Sequence, residues 1–342
     1  MKGGLASCVA AAVALATGSA CSSGGGSHAA VTPRPTTPAV VASSGCGSAA
    51  IAPGVDHVSL AFGGVTRTAR QFVPKGYDRR RPVAIVLNLH GFSSNADQEA
   101  VFTGMESFAD TNGFVVLFPD GTGSPRYWNL TVDPRGADDI GYLRALIDDA
   151  GRRLCLDRRR VFMTGMSNGA GMTSAAACHL ADIVAAFAPV AGVHGPDTCR
   201  PGARPVPLIA FHGTDDPFLK YTGGFGSDAA TVPRPSGTDL QILARYPSPD
   251  RGQAVAAWAA LDGCAPAPDT TDPSTEVKVT RYHACKAGTD VALYTIVGGG
   301  HTWPGSAVGA AVAGMLGKTT MQLDANRVMW DFFSAHPLAA VS

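Results

Sequence analysis

The chain has 342 residues, 45% of them hydrophobic, and its 27 Lys and Arg balance 27 Asp and Glu. That length is ample for one large buried core. Zero net charge, with no basic block and no interleaving of basic and aromatic residues, argues against nucleic acid as a partner.

The N-terminus reads as a targeting segment. Lys2 precedes an apolar run, Leu5 to Ala16, that is too short to span a bilayer as a helix. Gly18-Ser-Ala-Cys21 then resembles a bacterial lipoprotein cleavage site, which makes Cys21 the expected lipidated residue, with ordinary secretion and cleavage nearby as the alternative. Residues 1–21 are accordingly assigned to a lipoprotein-type signal peptide. Residues 22–45, Gly/Ser-rich and then Pro/Thr-rich, form a disordered tether. The folded domain is expected over residues 46–342.

Strand-like runs follow at 57–62, 66–73, 83–89, 114–118, 160–164, 183–190, 206–211, 277–282 and 291–297. Helix-like segments fall at 98–111, 137–153, 168–180, 253–261 and 321–335. The first two strands have no helix between them and predict an antiparallel meander. Beyond it, alternation of strand and helix predicts a mostly parallel central sheet with helices on both faces, an α/β class. Asp138 and Asp139 open a helix and are expected to act as capping charges.

After the strand at 83–89 comes His90-Gly91-Phe92, where a glycine lets the backbone approach closely. After the strand at 160–164 comes Gly165-Met-Ser167-Asn168-Gly169, the G-x-S-x-G pattern of a nucleophile elbow. Such a turn exposes Ser167 Oγ, and a serine needs a base held by a third group. In the α/β-hydrolase arrangement acid and base follow in that order, each after a strand. The strand at 206–211 leads into His212-Gly-Thr-Asp215-Asp216, and the strand at 291–297 into Gly300-His301-Thr-Trp303. Ser167, Asp216 and His301 are therefore the expected catalytic residues. Asp215 competes with Asp216 for the acid, whereas His283 and His336 follow no strand at a loop mouth. His212 is expected to be structural. The backbone N–H groups of Phe92 and Asn168 are the expected oxyanion donors.

The long connections 218–252 and 302–319 carry Tyr221, Phe225, Tyr246 and an apolar series from Val308 to Leu316, and are expected to wall a substrate pocket. Trp303 and Trp128 are candidate pocket walls, with core packing as the competing role. Setting aside Cys8 and Cys21, six cysteines remain, and their nearness in sequence favours the disulfides Cys178–Cys199, Cys264–Cys285 and Cys46–Cys155. Neither H-E-x-x-H nor C-x-x-C nor other metal-ligand spacing occurs, so no metal or cofactor is implied.

The stretches His90-Gly-Phe, Gly165-Met-Ser-Asn-Gly-Ala-Gly171, His212-Gly-Thr-Asp-Asp216 and Gly300-His-Thr-Trp-Pro-Gly305 together resemble the polyhydroxybutyrate depolymerase and feruloyl esterase family. The resemblance covers the chain from about Cys46 onward. It implies a secreted serine esterase of α/β-hydrolase fold and places the acid at Asp216. It further implies hydrolysis of hydroxycinnamoyl or acetyl esters on polysaccharides, or of short hydroxyalkanoate esters. No polymer-gripping module follows the last helix, which favours an envelope-held, monomeric esterase touching the membrane only through its lipid. An envelope acyltransferase on the same fold is the alternative within enzymes, and a non-catalytic surface binding protein the alternative outside them.

Overall fold

The computed structural model describes residues 40–48, 51–233 and 248–339, and residues 39–342 cluster as one compact unit. The signal segment, Cys21, most of the tether and Tyr246 lie outside the described residues. Residues 40–45, which the sequence reading gave to the tether, instead belong to the fold. Ala42 bridges Asp157, Ser43 N–H donates to the Leu156 carbonyl at 2.8 Å, and Ser43 Oγ donates to the Leu154 carbonyl at 2.6 Å.

Ten strands form one sheet: β1 (Gly54–Phe62), β2 (Val65–Val73), β3 (Val83–Leu89), β4 (Val115–Pro119), β5 (Leu156–Met166), β6 (Ala186–Val190), β7 (Leu208–Gly213), β8 (Asp269–Ser274), β9 (Val277–Tyr282) and β10 (Val291–Ile296). Their order across the sheet is β1-β2-β4-β3-β5-β6-β7-β10-β9-β8. The segment from β4 to β10 is parallel throughout, and the β1–β2 meander joins it antiparallel. At the far edge the expected parallel alternation gives way to an antiparallel β8–β9–β10 ribbon. The connection from β9 to β10 is too short for the crossover that a parallel pair requires. Strand β8, Asp269-Thr-Thr-Asp-Pro-Ser274, went unpredicted because it is a polar, exposed edge strand carrying a proline, which is how sheets blunt their edges.

Eight α-helices accompany the strands among the described residues: α1 (Ala96–Thr103), α2 (Met105–Asn112), α3 (Asp139–Arg153), α4 (Asn168–His179), α5 (Arg251–Leu261), α6 (Ala307–Ala311), α7 (Ala313–Leu316) and α8 (Ala325–Ala335). The single helix expected over 98–111 is broken at Gly104, which takes a left-handed φ of 61° between α1 and α2. Side chains alternate along the central strands. In β3, Ile85, Leu87 and Leu89 enter one core with α3, α4 and α5, while Ala84 and Val86 enter the other with α1, α2 and α8. Period-2 burial of both faces is what the apolar central strands encode.

Three disulfides, Cys46–Cys155, Cys178–Cys199 and Cys264–Cys285, match the pairing favoured by sequence spacing. Such bonds persist most readily in oxidising compartments outside the cytoplasm. No helix among the described residues is long and apolar enough to cross a membrane.

Two stability predictions follow from these elements. Cys46–Cys155 closes a separation of 109 residues against 21 for each of the others. Replacing that pair by alanine should cost about 4–5 kcal/mol, against about 3 kcal/mol for either short loop, on chain-entropy grounds. Denaturant unfolding of the three double variants ranks them. Separately, Glu99 in α1 is buried, its Oε1 meets no hydrogen-bond partner among the described residues, and burial pushes its carboxyl up to about 8. The folded state therefore holds this proton more tightly than the unfolded chain, so its stability falls as pH rises from about 4 towards 8. Glu99→Gln should raise the melting temperature by a margin that widens between about pH 5 and pH 8. A margin that stays constant with pH would remove Glu99 as the cause.

Candidate active site

Ser167 directly follows β5 and takes φ 58°, ψ −118°, a sparsely allowed backbone conformation for a residue with a side chain. The strain is held in place from several sides. Ser167 N–H donates to the Val190 carbonyl at 2.9 Å, and its own carbonyl accepts from Gly171 N–H at 3.0 Å. A Cβ at Gly165 would stand 2.7 Å from the Leu89 carbonyl oxygen, and one at Gly169 would overlap that same oxygen. The elbow glycines are thus required by the end of β3 as much as by the turn itself. At Gly91 a Cβ would lie 3.3 Å from Ser167 Cβ, which places the His90–Phe92 loop alongside the serine.

That loop is supported by a buried hydrogen-bonded frame. His90 Nε2 accepts from Gly121 N–H at 2.9 Å, so Nδ1 carries the hydrogen and donates to the Gly91 carbonyl at 2.7 Å. Burial pushes the His90 imidazole down to about 4, against the upward pull of that hydrogen bond, and keeps the ring neutral. Trp128 Nε1 donates to the His90 carbonyl at 2.9 Å. The Asn168 side chain clamps Trp128 in turn, accepting its N–H at 2.7 Å and donating to its carbonyl at 3.2 Å. The backbone N–H of Asn168, first residue of α4, lies among the helix-start donors that have no intrahelical acceptor.

Asp216, three residues beyond β7, is buried with its carboxylate enclosed by donors. Oδ2 lies 2.7 Å from His301 Nδ1 and 3.2 Å from His212 Nε2. Oδ1 accepts from Phe218 N–H and Leu219 N–H, each at 2.8 Å. Burial opposes ionisation, but the charge on His301 and the hydrogen bonds from His212 and His301 outweigh it. Together they hold Asp216 well below the usual carboxylate range. Of the two adjacent acids the structure brings Asp216, and not Asp215, to His301. Asp215 is exposed and accepts from Thr214 Oγ1 at 2.9 Å. His283 and His336 pair elsewhere, with Asp269 at 2.9 Å and Asp290 at 3.2 Å. His301 follows β10, its N–H donates to the Leu316 carbonyl at 2.7 Å, and the Phe218 ring lies 5.2 Å from its own, centroid to centroid. Because β5, β7 and β10 run parallel, Ser167, Asp216 and His301 all leave the same edge of the sheet.

Both tryptophans proposed as pocket walls have no solvent-exposed surface, which corrects that expectation. Trp128 holds the His90 loop from beneath. Trp303 packs in the core of α1, α2 and α8, with Nε1 donating to Asn326 Oδ1 at 3.2 Å, and so anchors the connection behind His301. The large apolar side chains that this connection does expose are Val308 and Met315, on α6 and α7. Asp139 also departs from its expected role. Asp138 caps α3 by accepting Gly141 N–H, while Asp139 turns inward to Arg67 at 2.8 Å and accepts Asn129 N–H at 2.8 Å. The support given by His90 and by the Asn168 side chain went unread in the sequence, although each adjoins a recognised motif; His212, expected to be structural, lies against Asp216. Among the described residues no group of three or more His, Cys, Asp or Glu side chains could hold a metal ion.

Comparison with known proteins bears on this arrangement. Residues 68–199 match the family model described as Esterase PHB depolymerase. The chain is 30% identical over 237 residues to feruloyl esterase B of Piromyces equi, covering 67% of this chain and 41% of that protein. It is 31% identical over 160 residues to a bifunctional acetylxylan esterase/xylanase of Neocallimastix patriciarum, covering 46% of this chain and 22% of that one. The chain therefore spans less than half the length of either relative. The solved acetyl xylan esterase from Aspergillus awamori superposes with a TM-score of 0.53 at 16% identity, over 76% of this chain and 98% of that one, which supports the α/β-hydrolase fold. The family-model match over residues 68–199 and these relatives support placing the chain with the polyhydroxybutyrate depolymerase and feruloyl esterase family.

The Asn168 clamp can be tested without any substrate. Asn168→Ala removes two buried hydrogen bonds to the Trp128 backbone and should destabilise the fold by about 2 kcal/mol. Urea unfolding, with a red shift of tryptophan emission in the native state, measures this; unchanged stability would remove the clamp from the frame.

Proposed function

We propose that this protein is an exported serine carboxylesterase, with Ser167 as nucleophile, His301 as base and Asp216 as the acid that orients it. The observation that carries the reading is the 2.7 Å bond from His301 Nδ1 to the buried Asp216, on the sheet edge where Ser167 sits in a strained turn. Ser167 Oγ attacks the ester carbonyl carbon as His301 Nε2 takes its proton. Asp216 accepts the Nδ1 hydrogen and stabilises the imidazolium. Charge on the tetrahedral oxygen is received by the backbone N–H groups of Phe92 and Asn168. Collapse expels the alcohol, which takes the proton from His301, and leaves an acyl-serine. Water, activated by the same imidazole, then releases the acid.

The substrates proposed are hydroxycinnamoyl or acetyl esters on polysaccharides, and short hydroxyalkanoate esters. Feruloyl and acetylxylan esterases among the relatives support the first two classes. The proposed setting is the cell envelope, with Cys21 as the lipid attachment point and the domain acting as a monomer. Three disulfides are consistent with that compartment.

The test is a panel of acetyl, butyryl, long-chain and methyl-ferulate esters, with Ser167→Ala as control. Turnover should fall by about 10⁴-fold or more in the variant, and the best acyl group assigns the substrate class. A folded parent inert on every ester would overturn the hydrolase reading and favour acyl transfer to a specific acceptor.

A further inference from the structure

A second imidazole reaches the carboxylate that serves His301. His212 lies within β7, its side chain wholly buried, with Nε2 2.8 Å from the Leu219 carbonyl oxygen and 3.2 Å from Asp216 Oδ2. A carbonyl oxygen can only accept, so Nε2 must carry a hydrogen, shared between Leu219 and Asp216. His212 Nδ1 is buried and meets no hydrogen-bond partner among the described residues. A proton added there would become a buried, unsatisfied N–H.

The groups facing this ring point the same way. Burial pushes the His212 imidazole down and the Arg251 charge pushes it further, against the pull of Asp216. Arg251 is itself fully buried, donating to the Val193 carbonyl at 3.0 Å and to Ser248 Oγ at 2.9 Å. Tyr221 lies edge-on to the ring, its hydroxyl bonded to Thr295 Oγ1 at 2.8 Å.

We infer that His212 is a positioning residue of the triad, an uncharged donor that fixes Asp216 Oδ2 for His301. The inference rests on the serine-esterase reading above. Two histidines on one carboxylate pose a problem that the geometry resolves. Were His212 to become a cation, it would neutralise Asp216 and leave His301 without a counter-charge when the Ser167 proton arrives. With Nδ1 unpartnered and Arg251 nearby, only His301 is placed to take up that proton. His212 instead withdraws charge from Oδ2 and holds its direction, while Phe218 and Leu219 hold Oδ1.

Removing the donor makes the carboxylate more basic, which stabilises the His301 imidazolium and keeps the base protonated to higher pH. In the full chain, His212→Leu should lower kcat about tenfold and move the acid limb of kcat/KM upward by about one pH unit, as expected for one lost hydrogen bond to an anion. His212→Gln, which returns a donor near the Nε2 position, should restore most of both. An acid limb that stays put or moves down in His212→Leu, or that moves equally in His212→Gln, overturns the inference. Nitrogen-15 NMR of the unsubstituted protein gives a reading independent of variant folding and of activity. His212 should remain the neutral Nε2–H tautomer from about pH 5 to pH 9, and a titrating ring or an Nδ1–H tautomer would overturn it. The Ser167→Ala control judges the esterase reading separately from both outcomes.

Discussion

A carboxylate taken out of water must recover its solvation from protein donors, and Asp216 does so with four: two backbone N–H groups on Oδ1 and two imidazoles on Oδ2. Those donors come from three places in the chain, namely β7, the turn just after it and the loop after β10. Meeting the needs of one buried charge therefore fixes where all three lie. The β7–β10 pairing carries the arrangement further, because it sets Thr295 opposite His212, and Thr295 holds the Tyr221 hydroxyl. The direction of the His301 ring follows from this assembly. Its Nδ1 is committed to Asp216, so the proposed chemistry falls to Nε2.

The serine side of the edge is organised on a different principle. The constraint there is steric and then hydrogen-bonded. Leu89 and His90 carbonyls crowd Gly169 so closely that only a residue without Cβ can stand there, which draws the end of β3 against the start of α4. Backbone donors can be aimed at a developing charge only if the backbone itself does not move. Trp128, His90 and the Asn168 side chain supply that rigidity through bonds made wholly beneath the surface. Asn168 acts in two directions at once. Its side chain braces the neighbouring loop, and its backbone N–H stays free of the helix ladder at the mouth of the elbow.

What the sequence made legible follows from which constraints are local. Apolar runs located the central strands to within a few residues, because both faces of those strands are buried and few polar residues interrupt them. G-x-S-x-G and the order of acid and histidine depend on short spacing after a strand, so the turn at Ser167 and a pairing of His301 with one of the acids after β7 could be anticipated, the family resemblance pointing to Asp216. Strand β8 could not be found, since an exposed edge strand is selected for polarity and looks like a loop. The two tryptophans were ambiguous for a related reason: a large aromatic beside a motif can face substrate or brace the motif from behind. Trp128 and Trp303 both brace. His212 was the least readable of all, because its role depends on which nitrogen carries the hydrogen. That is decided by the Leu219 carbonyl, seven residues away and across a turn.

A division of labour between buried and exposed parts follows from these contacts. Each side chain assigned to the chemistry is backed by groups with almost no exposure: Asp216 by His212, the His90 loop by Trp128, and the His301 connection by Trp303. Altering any of these disturbs geometry that several segments share. Val308, Met315 and Phe225, by contrast, lie exposed on connections that leave the same sheet edge, and little packs upon them. Such positions can change without disturbing the carboxylate or the elbow. Under the proposed function, selection for a different acyl group or alcohol would therefore act first on those connections. The fold, set by the packed strands and the buried hydrogen bonds, can persist while identity over the rest of the chain falls low.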